Sequence, residues 1–190
     1  ALAQFIRSIQ SFDSKYDLGR VNAPNDGAAF TNFTTEENNG KQLFLAPPTF
    51  DTSGNRTGGG LGCACCHRAP EFSIDINSQN NGVIGVANAT GTDFTVTRSP
   101  SLRDLLKVDG TANGPFMHIG VSDNFMTVLT HYDNITIGAN THLDNRLMPN
   151  GIGQNLNMTI TERNEVLAFI KTLTGTDVYT NEKWSNPFLN

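Results

Sequence analysis

Cysteine is scarce in this chain and confined to one place. Three occur among 190 residues, at positions 63, 65 and 66. A structural zinc site takes four ligands, usually with a second C-x-x-C or a spaced histidine pair. Neither is present. Basic clusters are missing too. The net charge is −5 and no run of lysine or arginine breaks the acidic balance, which excludes a nucleic-acid footprint. No apolar run approaches the roughly 18 residues that span a bilayer. Residues 1–12 are amphipathic rather than a basic stub before an apolar block, so they do not read as a signal peptide. The chain therefore reads as a mature form or a fragment. Charged residues make up only 16% and asparagine is frequent, which suits a loop-rich extracytoplasmic protein.

What is present is the pentapeptide Cys63-Ala64-Cys65-Cys66-His67. It holds C-x-x-C-H, from Cys63 through Cys66 to His67. That spacing reads as a c-type haem attachment site. Two thiols add across the haem vinyl groups, and the adjacent histidine offers the iron one axial nitrogen. A dithiol redox motif has the same C-x-x-C core but calls for a βαβ context, and the Gly58–Gly62 approach does not look like a strand feeding a helix. Cys65 is left over and reads as a free or buried thiol. One covalently bound haem c places the chain in the periplasm or another extracytoplasmic compartment.

Periodicity places helices around this motif. Leu2, Phe5, Ile6, Ile9 and Phe12 repeat at three- and four-residue steps, predicting an amphipathic helix that ends near Asp13. Residues 17–33 read as loop. Thr34 to Glu37 fits a capping box opening a helix through Leu45, stopped by Pro47-Pro48. Residues 49–62 read as loop, and residues 71–97 as short alternating stretches able to form a small hairpin. Residues 101–106 read as a short helix after Pro100. Ser122 or Asp123 can cap a helix bearing Phe125, Val128, Leu129 and Tyr132. Thr161 can cap a last helix carrying Val166, Leu167, Ile170 and Leu173, ended by Gly175. This predicts an all-α, cytochrome c-like haem domain over residues 34–175, with long loops and at most a small hairpin. Residues 1–33 form its lead-in and 176–190 an extended tail.

Taken in order, these segments resemble the C-terminal haem domain of bacterial di-haem cytochrome c peroxidases and their MauG-like relatives. Phe5–Ser8 and Phe12–Asp17 look like the family's interdomain helix and the segment after it. Thr35–Glu37 and Gly40–Phe44 look like the helix before the haem, and Gly62–His67 is the haem site. Residues 97–104, Thr-Arg-Ser-Pro-Ser-Leu-Arg-Asp, look like the R-T-P-S-L-R-N segment. Pro115–Gly120 look like P-Y-[MF]-H-D-G, His131-Tyr132 like the helix end after it, and Ala168–Gly175 like the last helix. One departure stands out. The family has two haem domains, with peroxide reacting at the N-terminal one, and this sequence holds a single C-x-x-C-H.

The resemblance implies site residues as well. His67 is the proximal ligand. In the peroxidases the axial methionine lies 14 residues beyond the histidine of the P-Y-F-H segment. Counted from His118, that position is Tyr132. Tyrosine is the axial ligand in MauG-like proteins. Met117 is the alternative. Its position after a proline in a loop also suits axial ligation, and its plainer reading is packing against the porphyrin edge. His118 lies by resemblance beside a propionate and on an electron path. Arg98 and Arg103 are candidate propionate partners, because guanidinium forks match carboxylates. Asn113 and Pro115 match positions whose carbonyls bind an interdomain calcium. His131 and His142 receive no role. The implied function is electron relay from a small cytochrome c or cupredoxin to a second haem domain, with a homodimer as the assembly. The alternatives are a haem enzyme reacting with peroxide at this haem, and a stand-alone monohaem carrier.

Overall fold

The computed structural model describes every residue except 75, 88, 97, 187, 189 and 190, and only the backbone of Ile74. Thr97, which belongs to two of the segments read above, thus lies outside the described residues. Among the described residues six α-helices run α1 (Leu2–Ser8), α2 (Lys15–Val21), α3 (Thr35–Leu45), α4 (Phe125–Asp133), α5 (Ile160–Lys171) and α6 (Asp177–Thr180). Three two-stranded antiparallel hairpins lie between α3 and α4 among the described residues. They pair β1 (Pro48–Phe50) with β2 (Arg56–Gly59), β3 (His67–Arg68) with β4 (Ser73–Ile74), and β5 (Gly85–Val86) with β6 (Ala89–Thr92). Strand makes up 14% against 34% helix, so the fold is mixed where the sequence suggested all-α. The physical reason lies in the Gly- and Thr-rich connections, whose turns close into short ladders that carry no apolar alternation.

Helix starts follow side-chain caps. Thr34 and Glu37 form the expected capping box on α3. The helix α5 is capped two residues earlier than read, by Thr159 with Glu162 rather than by Thr161, and it ends before Leu173. Asn124, rather than Ser122 or Asp123, caps α4 through Met126 N. A helix was missed at 15–21, where Ser14 and Asp17 make a third capping box. The helix expected over 101–106 does not form. There Asp104 takes φ 53°, and the chain runs through turns instead. The tail also folds back on itself in α6 and a 3-10 turn, Glu182–Trp184.

The core sits where α3 crosses α5. Phe44, Phe72 and Phe169 pack ring on ring with Tyr16, at centroid distances from 4.8 to 6.3 Å. Gly40 permits the crossing, since a Cβ there would overlap the Glu165 carbonyl. Lys41, on the same helix, is fully buried. It donates to the carbonyls of Asp26 and Ala28 and lies over the Phe30 ring. Tyr16, Phe30 and Phe33 of the lead-in share this core with Phe44. By contrast, no residue of α1 is buried, and Leu2, Phe5, Ile6, Ile9 and Phe12 are all exposed.

Candidate haem site

Beside that core lies a cavity of about 570 Å³, walled by Phe44, Leu61, Phe116, Phe125, Leu129 and Ile170 among others. Its size suits a cofactor-sized ligand. The C-x-x-C-H motif forms part of this wall. Cys63, Cys65, Cys66 and His67 all line it. Gly62 turns the chain into the motif in the left-handed region, at φ 70°. A 3-10 turn, Cys63–Cys65, then presents the cysteines, and β3 begins at His67.

His67 is held by its ring. Nδ1 lies 3.1 Å from the carbonyl oxygen of Phe72 and 3.1 Å from that of Pro100. Carbonyl oxygens only accept, so Nδ1 carries the proton and donates. Nε2 is then the nitrogen with a lone pair, the tautomer a metal-ligating histidine needs. Burial, set against those two bonds, holds the imidazole below its ordinary range and therefore neutral. Burial also pushes the Cys63 thiol up to about 12, with the neighbouring thiols adding to the rise. A reactive dithiol has a lowered pKa, so this environment argues against that reading. Among the described residues no group of three or more His, Cys, Asp or Glu side chains is arranged to hold a metal ion.

Tyr132 and Met117 line the same cavity. One side chain touches both. Asn81 Nδ2 lies 3.1 Å from the Tyr132 hydroxyl and 3.6 Å from Met117 Sδ. Burial pushes the Tyr132 phenol up to about 12, and the thiols and Asp144 add to that, while the Asn81 amide pulls it down. Met117 sits at φ 64°, an uncommon backbone for a side chain of its bulk, in a turn closed by the Gly120 amide.

The remaining candidates divide. Arg98 and His118 line the cavity, both exposed. Asn113 and Pro115 line it as well, with the Asn113 amide donating to Asp104 O and to the Tyr179 hydroxyl. Arg103 is placed elsewhere. It is absent from the lining, and its fork closes on Asp17, with Nη1 also donating to Ser11 O and Nε to Pro70 O. An arginine so used has no donor pair to offer a propionate. Sequence reading missed Asn81 and a second lining pair, Asp144 with Arg146. Arg146 also donates to Cys65 O, tying this pair to the motif.

No family model matches the chain, and no curated protein does. Among solved structures, the "Crystal structure of a MauG-like protein associated with microbial copper homeostasis" matches over 93% of this chain, with a TM-score of 0.56 at 23% identity. The chain has the fold of part of a MauG-like protein. It spans about half of that one, 52% of its length. Among the described residues no helix is long and apolar enough to cross a membrane.

Proposed function

We propose that this chain is a c-type haem electron-transfer domain of a MauG-like or di-haem peroxidase-like protein. The observation that carries this is His67. Its Nδ1 proton is committed to two backbone carbonyls, beside two thiols at attachment spacing on the wall of one apolar cavity. The residues fit a haem. Cys63 and Cys66 would hold it through thioethers, and His67 would give the proximal nitrogen. Bound there, a haem supplies a one-electron redox centre whose potential its ligands and surroundings set.

This chain's residues would do the rest. Tyr132 is the preferred distal ligand and Met117 the alternative. A phenolate favours oxidised iron and a thioether favours reduced iron. Around a bound haem the apolar part of the wall would keep water away, which would strengthen the polar contacts there. Arg98 and His118, at the exposed rim, would meet the propionates and the electron path. A second haem domain would be the acceptor, a small cytochrome c or cupredoxin the donor, and the periplasm the compartment.

The experiment is to express the chain with a cytochrome c maturation system, then take its intact mass and its visible spectrum. The expected mass gain is one haem, retained under denaturing conditions. The ferric spectrum should show a tyrosinate charge-transfer band that Tyr132→Phe removes and Met117→Leu leaves. The reverse pattern assigns the methionine. Absence of covalent haem overturns the proposal.

A further inference from the structure

Asn81 is held so that only its N–H groups can face Tyr132. Its Oδ1 already accepts from Val83 N at 3.1 Å. That fixes the amide's orientation and turns Nδ2 toward the cavity. Its main-chain oxygen lies 2.8 Å from His131 Nε2, which must be the donor. His131 precedes Tyr132 on α4, so two consecutive helix residues grip the same asparagine, one by its backbone and one by its side chain.

The loop beneath it is anchored independently. Asn80 is buried, accepts from Gly82 N and Asn140 Nδ2, and donates to the carbonyls of Val83 and Thr95. Asn80 N also bonds His142 O, and Asp144 N bonds Asn80 O. A donor fixed from so many sides costs little reorganisation when charge develops on its acceptor. The second acceptor within reach, Met117 Sδ, is a weak one.

We propose that Asn81 is a positioning residue for the distal ligand: its amide donates to the Tyr132 oxygen and sets how strongly that oxygen binds the iron. This rests on the axial role of Tyr132 proposed above. A donor on a coordinated phenolate draws electron density from the oxygen. It thereby weakens the ligand's preference for oxidised iron.

The test uses the haem-loaded protein and compares wild type, Tyr132→Phe, Asn81→Leu and Met117→Leu. The readouts are the ferric charge-transfer band and the midpoint potential. Leucine keeps the size of asparagine and removes the donor. The expected result is a band moved to longer wavelength and a lower potential in Asn81→Leu, with the band retained in Met117→Leu. An unchanged band and potential in Asn81→Leu, with the band still abolished by Tyr132→Phe, overturns this inference and leaves the electron-transfer reading standing. An unchanged spectrum in Tyr132→Phe overturns the axial assignment itself, and this inference with it. Should Asn81→Leu fail to take up haem, resonance Raman of wild type in light and heavy water decides. A deuterium shift of the iron–phenolate stretch supports the donor, and no shift overturns it.

Discussion

Arg103 and Asp17 form a two-pronged ion pair, with Nη2 to Oδ1 at 2.7 Å and Nη1 to Oδ2 at 2.9 Å. The guanidinium is only 6% exposed and the carboxylate 16%. Arg103 also lies 4.2 Å from the Phe12 ring centroid. The pair therefore fastens the lead-in to the segment after β6. Arg103→Met should cost about 2 kcal/mol in urea unfolding, between the values for exposed and buried pairs. The haem spectrum should stay unchanged. A spectral shift in that variant would restore Arg103 to the propionates.

The three cysteines should separate cleanly by their pyridine haemochrome bands. Cys65→Ser should keep haem on both thioethers, because Cys65 lies outside the C-x-x-C-H spacing. Cys63→Ser and Cys66→Ser should each leave a single thioether, visible in the pyridine haemochrome band. A normal band in Cys66→Ser would mean that Cys65 had been the attached residue.

Gly40→Ala should destabilise the fold without touching the cavity. The added methyl would meet the Glu165 carbonyl where α3 crosses α5. Overpacking of this kind costs about 1–3 kcal/mol. Thermal unfolding measures it, and a Tm equal to wild type would show that the two helices can part there at no cost.

Acid stability has a definite sign. Burial raises the carboxyls of Asp17, Asp144 and Glu162. The hydrogen bonds and charges of Arg103, Arg146 and Arg56, with backbone donors, outweigh it and leave all three below their ordinary values. Each contributes stability that is fully present above its unfolded pKa and is lost as pH falls through the folded one. Unfolding free energy should therefore hold level above about pH 5 and drop progressively below about pH 4. Asp144→Asn should flatten part of that drop. An equally steep fall in the variant would assign the loss to the other carboxylates.

The sequence was most readable where a local rule and a global one agreed. The α3 start combines a capping box with an apolar run, and both sit where expected. The missed α2 carries the same signature with aspartate in place of glutamate at Asp17, inside a stretch whose Gly19 and Pro24 read as loop. The apolar stripe of α1 was visible, but periodicity cannot say whether a face is covered, and here it is exposed. At the site, C-x-x-C-H was legible as a fixed spacing, and the structure puts Cys63, Cys66 and His67 on one cavity wall. Asn81 did not, since one asparagine in an asparagine-rich loop has no pattern. Its meaning comes from His131 and Tyr132, some 50 residues away.

The His67 ring is anchored to carbonyls 5 and 33 residues further along the chain. The pentapeptide alone contains everything that thioether formation uses, whereas the proton on Nδ1 is assigned only after Phe72 and Pro100 have come to rest. Under the proposed function, taking up the haem and orienting its iron ligand would therefore draw on different parts of the chain. The first would use five residues. The second would also need the hairpin and the loop beyond it in place.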